Sequence, residues 1–368
     1  KVCVKAFGLV QKTYNPHRVL TPMKRRNPKK GRDEDPDFVP IGWEEAFEII
    51  GAKLRKLRAE GLLDASGYPK LAASFGGGGT PQSYMGTFPA FLAAWGPVDM
   101  GFGSGQGVKC DHSEHLYGEF WHRAFIVAAD TPSTKYLISC GSNIEASGGV
   151  VGVWRHADAR IRGMKRVQVE PHLSVTGACS AEWVPIKPKT DPAFLFALIH
   201  VMLFELPRER LDLPHLAGHT NSPYLVGPHG YWLRQRESRK PLVWDTIAER
   251  ACPFDTPGIA EALEVEAEVD AIEIGADGEV LAEGLLKGET AFCKLVEHVR
   301  GYSPEWAEKI CDVPAATMRR IANEYVAHAC VGQTTVVDGV EMPYRPVAVT
   351  LGKTVNNGWG GYECCWAR

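Results

Sequence analysis

Short apolar runs that break off into glycine or acidic turns constrain this chain more than any other feature. Lys135-Tyr136-Leu137-Ile138-Ser139-Cys140 empties into Gly141-Ser142-Asn143, and Lys70-Leu71-Ala72-Ala73-Ser74-Phe75 empties into Gly76-Gly77-Gly78-Gly79-Thr80. A third run, Arg166-Val167-Gln168-Val169, stops at Glu170-Pro171. Runs this short read as strands, and helical stretches follow them. Repeated in that order they predict an α/β fold with mostly parallel, doubly wound sheets, which take ligands at the carboxyl ends of their strands. One helix is plain: Trp43, Phe47, Ile50, Leu54 and Leu57 recur at helical spacing, Glu44 and Glu45 stand at its positive end, and Gly61 stops it. Its apolar face is expected to pack on a sheet.

At 368 residues, 45% apolar and 23% charged, the chain is neither disordered nor collagenous nor low in complexity. Its length allows two or three domains, or one domain interrupted by another. Forty-one basic residues against 44 acidic leave a net charge of −3, which offers no broad basic face to nucleic acid. The densest basic run, Lys24-Arg25-Arg26 with Lys29-Lys30, is broken by Pro28 and answered by Asp33-Glu34-Asp35, as in a solvated loop. Phe194 to Phe204 falls far short of the ~20 apolar residues of a membrane span and contains His200, so it reads as a buried helix. The ten cysteines are scattered with no C-x-x-C, which is not a zinc framework, and a chain of this length does not need disulfide staples.

From about Leu206 to Gly288 the text turns proline-rich and acidic with little periodicity, a long excursion with a poor core and a small hairpin around Ile274 to Gly278. Helices resume at Glu289 to Val299, at Ser303-Pro304-Glu305-Trp306, where Ser303 can cap and Pro304 can open the helix, and at Ala315 to Ala329. The chain starts at Lys1 without Met and stops at Cys364-Cys365-Trp366-Ala367-Arg368, and it reads as an interior piece of a longer protein.

Gly141-Ser142-Asn143 after one strand and Glu170 at the tip of the next are what nucleotide binding by such a sheet needs. Glycine lets a phosphate approach the backbone, and a carboxylate at the neighbouring tip can accept both ribose hydroxyls. The full G-x-G-x-x-G fingerprint is missing, and a plain structural turn would use the same residues.

The order of the whole set says more. Val2-Cys3-Val4-Lys5-Ala6 comes first, then Asn15-Pro16-His17-Arg18-Val19-Leu20-Thr21-Pro22-Met23-Lys24-Arg25 and Trp43-Glu44-Glu45-Ala46. Gly141-Ser142-Asn143, Val169-Glu170-Pro171 and Trp183-Val184-Pro185-Ile186-Lys187-Pro188-Lys189-Thr190-Asp191 follow. Asn221-Ser222-Pro223-Tyr224-Leu225-Val226 and Tyr302-Ser303-Pro304-Glu305-Trp306-Ala307 complete it. In this order they closely resemble the large catalytic subunits of the dimethyl sulfoxide reductase family, nearly end to end. These are prokaryotic oxidoreductases with molybdenum or tungsten on two molybdopterin guanine dinucleotides.

The resemblance implies two interleaved α/β domains. Residues 1–40 would be the remainder of an iron-sulfur domain and a linker, and 41–130 the first part of a pterin-binding domain with the active-site loop. Residues 131–330 would be an inserted dinucleotide-binding domain with its excursion at 206–288, and 331–368 a truncated return to the first. Cys3 matches the fourth ligand of a [4Fe–4S] cluster whose other cysteines would lie upstream, and Lys5 the lysine between cluster and pterin. In the loop Cys110-Asp111-His112-Ser113-Glu114-His115, Glu114 falls on the metal-ligand position and His115 beside it. Glutamate is a departure there, and it can ligate a hard metal or handle protons with His112 or His115.

For the guanosines, Gly141, Ser142, Asn143 and Glu145 match a turn that holds phosphate or ribose, and Glu170 and His172 the acidic strand tip, with Ser174 after it. Lys189, Thr190 and Asp191 match the turn whose carboxylate answers the N–H edge of guanine, with Lys189 where the family has glycine. The alternative for Asp191 is a cap on the helix beginning near Pro192. The Gly76 to Gly79 run would bring backbone close to pterin.

The function implied is a two-electron oxidation or reduction of a small-molecule substrate, by oxygen-atom or hydride transfer, on bis(molybdopterin guanine dinucleotide) with Mo or W. Electrons would leave through the [4Fe–4S] cluster to an iron-sulfur electron-transfer subunit, and a membrane anchor would be a further partner. Two alternatives keep the fold: a non-redox hydratase or transhydroxylase, and a metal-free electron-transfer subunit. The compartment, periplasm or cytoplasmic face of a membrane, is not legible.

Overall fold

The computed structural model describes residues 4–75, 82–102, 128–352, 355 and 360–368, with backbone alone at 4–5, 74–75, 82–86 and 100–102. Strands β1 (Ala72–Phe75) and β2 (Asp99–Phe102) are parallel. Helices α1 (Trp43–Ala59) and α2 (Gln82–Trp95) accompany them, and α2 makes the crossover that a parallel pair requires. Gly61 stands just past α1 at φ 91°, the left-handed conformation that ends a helix. Among the described residues the expected packing of α1 is not seen: Trp43, Phe47 and Ile50 are 63%, 64% and 55% exposed. An amphipathic repeat says which face is apolar, not what covers it.

The main sheet is fully parallel. Strands β3 (Tyr136–Cys140), β4 (Lys165–Glu170), β5 (Glu182–Pro185) and β10 (Val347–Leu351) lie in the order β10-β3-β4-β5. Helix α3 (Gly149–Ile161) crosses from β3 to β4. The short α4 (Val175–Ala178) follows β4, and α5 (Asp191–His200) follows β5. Further on, α6 (Ala291–Val299) is capped by Thr290, α7 (Pro304–Cys311) by Ser303, and α8 (Ala315–His328) completes the layer.

Side chains alternate across the strands. Tyr136, Ile138, Val167 and Val169 join Phe194, Ala307, Met318 and Ile321 in one core, so α5, α7 and α8 cover that face. Leu137 turns the other way, onto Ala159 of α3. Helices on both faces make the sheet doubly wound, and each fully buried Ile, Leu or Phe adds about 2 kcal/mol. The Phe194 to Phe204 stretch is indeed buried, as α5 and a π-helical continuation, Val201–Glu205.

Two expectations change. The excursion is not a poor core: β6 (Leu225–Val226), β7 (Leu233–Arg234), β8 (Glu266–Ile274) and β9 (Val280–Thr290) form an antiparallel sheet in the order β6-β9-β8-β7. Leu225, Leu233, Leu242, Val269 and Ala271 are its own core. The small hairpin at Ile274 is the tip of one that pairs back to Glu266 and Glu289. Its acidic residues hid a period of two, with Glu266, Glu268 and Asp270 outside and Val269 and Ala271 inside. Residues 331–368, expected to return to the first unit, bring β10 to the edge of β3, and α9 (Gly361–Ala367) packs Cys364, Cys365 and Ala367 into the main core. Val347 to Leu351 is the apolar strand that an open edge of β3 needs.

Candidate functional site

The strand order reverses at β3, and there the carboxyl ends of β3 and β4 and the segment after β10 frame a cleft of about 280 Å³. Gly141 and Asn143 line it from the turn after β3, Glu170, His172 and Ser174 from the tip of β4 onward, and Lys189 and Asp191 at the entry to α5. Gly141 is left-handed at φ 64° and donates its N–H to Val169 O at 2.9 Å. A Cβ on Gly352 would stand 2.2 Å from the Gly141 carbonyl oxygen, so the turns after β3 and β10 meet backbone to backbone.

Two buried carboxylates give the cleft its character. Glu170 is 4% exposed and accepts the Ser174 N–H on Oε1 at 2.8 Å and the Gln168 side-chain amide on Oε2 at 3.0 Å. The Ser174 hydroxyl in turn accepts from Gly177 N at 3.2 Å and caps α4. A Cβ on Gly177 would lie 2.6 Å from Glu170 Oε1, so only glycine lets α4 come this close. Burial raises the Asp191 carboxyl above its ordinary range, with partial relief from its own N–H and from Lys189. The Cys140 and Cys364 thiols are pushed up by burial and then by the charge of Asp191, Cys364 to about 12. They stay protonated.

Behind the turn lies a closed network. Arg166, 4% exposed, donates to Glu145 Oε1 at 2.8 Å, to Ser180 Oγ at 2.8 Å and to Thr176 O at 3.1 Å. The Thr176 hydroxyl donates to the other Glu145 oxygen, and its N–H reaches Asn143 Oδ1 at 3.4 Å. Burial alone would raise Glu145, but the bonds from Thr176 and Arg166 and the Arg166 charge hold it below the usual carboxylate range. The Arg166 guanidinium also lies 3.0 Å from His156 Nδ1, and burial followed by that charge keeps His156 below the ordinary histidine value.

The family model described as molybdopterin oxidoreductase matches residues 18–366. The chain belongs to that family. Among its relatives, a sulfite dehydrogenase component of Allochromatium vinosum is 27% identical over 88% of this chain and 32% of that protein. The arsenate respiratory reductase molybdopterin-containing subunit of Shewanella sp. is 24% identical over 98% and 36%. In structure, acetylene hydratase from Pelobacter acetylenicus matches with a TM-score of 0.60 at 17% identity, over all of this chain and 36% of that one. The molybdopterin oxidoreductase chain thus spans about a third of the length of the curated relatives it matches.

Seven of the expected residues of this family member therefore meet in one cleft. Three do not face it. Ser142 offers its carbonyl to Gln168, Glu145 is engaged by Arg166 and Thr176, and the Thr190 hydroxyl donates to Lys187 O at 2.7 Å. Asp191 is not the cap of α5: the capping position is Thr190, and Asp191 is the first helical residue. Lys189 stands at φ 66°, the left-handed region that favours glycine. Lys5 lies in the 3₁₀ turn Val4–Phe7. Cys3, Gly76 to Gly79 and the loop with Cys110, Glu114 and His115 lie outside the described residues. Among the described residues no three His, Cys, Asp or Glu side chains converge as a metal site, and no helix is long and apolar enough to cross a membrane. Arg166 and Gln168 were missed, although R-V-Q-V-E alternates polar and apolar and so marks a strand with a polar face.

Proposed function

We propose that this chain is part of the catalytic subunit of a molybdenum or tungsten oxidoreductase and that its cleft holds a guanosine end of bis(molybdopterin guanine dinucleotide). The observation that carries this is the pairing of two buried carboxylates, Glu170 and Asp191, in one cleft at the reversal of strand order. The residues present fit the group. Glu170 offers acceptors to the ribose hydroxyls, Asp191 answers the two N–H donors of guanine, and Lys189 with the Gly141 backbone suits a phosphate. When bound, the cofactor supplies two-electron chemistry at the metal; this part of the chain binds and orients its nucleotide.

By the family resemblance, Glu114 stands at the metal, His115 and Lys5 assist proton and electron transfer, and Cys3 completes a [4Fe–4S] cluster. An iron-sulfur electron-transfer subunit then takes or supplies electrons, as the naming of relatives as subunits of a dehydrogenase and a respiratory reductase supports. The same names favour redox chemistry over hydration. Purified full-length protein should release GMP on acid hydrolysis, and Asp191→Asn should retain much less, because Asn presents one acceptor and a mismatched donor to guanine. Normal GMP content in that variant rules out the assignment.

A further inference from the structure

β4 carries a ladder of polar side chains on one face. Arg166, Gln168 and Glu170 are alternate residues of the strand, 4%, 0% and 4% exposed, while Val167 and Val169 enter the core on the other face. Arg166 has Glu145 as counter-charge, and Glu170 reaches the cleft. Gln168 has neither reason to be there. An aliphatic side chain could be buried in its place with no polar group to desolvate. Its amide donates both hydrogens, one to Ser142 O and one to Glu170 Oε2, each at 3.0 Å. Its Oε1 is buried with no hydrogen-bond partner among the described residues. Turning the amide over would set that oxygen against two others, so its orientation is fixed.

We propose that Gln168 is the positioning residue that turns the Glu170 carboxylate toward a vicinal diol. The inference rests on the nucleotide reading of the cleft. Among the described residues Glu170 receives one donor per oxygen, Ser174 N–H on Oε1 and Gln168 on Oε2. Each carboxylate oxygen has two lone pairs, so each keeps one, and two side-by-side acceptors suit the adjacent hydroxyls of a ribose. Without the amide the carboxylate turns about its terminal bond, whose torsion is broad. The same amide ties the Ser142 peptide to β4 and so joins the two strand tips.

The test titrates full-length protein, freed of cofactor, with GDP and with 2′,3′-dideoxy-GDP. The parent protein should prefer GDP by about tenfold, the worth of a hydrogen bond to a charged acceptor. In Gln168→Leu that preference should fall to about one, with the dideoxy affinity changed by less than roughly threefold. Gln168→Met keeps the volume without burying a charge and carries the test if the leucine variant does not fold. A loss of the diol preference with the dideoxy affinity retained is a selectivity change that a merely structural role would not produce. No diol preference in the parent overturns the nucleotide reading; a parent preference that persists undiminished in both variants overturns the role of Gln168 alone.

Discussion

Because burial lifts the Asp191 carboxyl while Lys189 only partly relieves it, the ionised side chain weakens the cofactor-free protein. A folded-state pKa above the unfolded one adds stability that is complete below the ordinary aspartate range and is lost as pH rises through the raised value. Asp191→Asn removes that dependence. Cofactor-free protein with this change should melt at an equal or slightly higher temperature near neutral pH, and the difference should close in acid; scanning fluorimetry across pH reads it. A fall of several degrees would make the carboxylate a structural partner. Glu145 has the opposite sign. Its pKa is lowered in the fold, so its contribution is complete above the ordinary glutamate range and fades as pH falls through the lower folded value. Glu145→Gln should cost about 3 kcal/mol near neutral pH, because Arg166 stays buried without its counter-charge. Urea melts at two pH values decide, since the gap from the parent must narrow in acid.

Among the described elements, the turns after β3 and β10 meet in a tight joint. A Cβ on Gly352 would collide with the Gly141 carbonyl, and neither backbone can yield without breaking Gly352 N–H to Cys140 O at 2.7 Å. Gly352→Ala should cost about 2 kcal/mol or more, whereas Gly301→Ala, with no atom within 4 Å of the new carbon, should be close to neutral. A denaturant titration in which the two match would remove the joint from the account. The sequence announced the turn at Gly141, the acidic tip at Glu170 and the entry at Asp191, since a strand that ends in glycine or acid is local punctuation. It did not announce Gly352, whose need for a bare Cα comes from a turn some two hundred residues earlier in the chain. The alternation of Arg166, Gln168 and Glu170 with valines marks a polar face on that strand, but which of these side chains would support Glu170 depends on Ser142 and Glu145, more than twenty residues away. The Glu266 to Ile274 strand was legible in principle, but its acidic face outweighed its alternation.

At the scale of the molecule, the antiparallel sheet of the excursion has its own core and should open on its own. Leu233 is fully buried in it, and Leu233→Ala should destabilise that sheet by about 3 kcal/mol. Hydrogen exchange should then accelerate in β8 and β9 while β3 and β4 keep their protection, with GMP content unchanged. Faster exchange everywhere would make the chain one cooperative unit. The order of the main sheet also sets a timetable. β10 pairs with β3, yet roughly two hundred residues are translated between them, which at about 5–20 residues per second leaves the edge of β3 bare for some 10–40 s. Val355, which lines the cleft, emerges later still. A ribosome-bound chain with β3 and β4 already folded would therefore lack one wall of the cleft, and ligand capture has to wait until β10 and Val355 have left the exit tunnel.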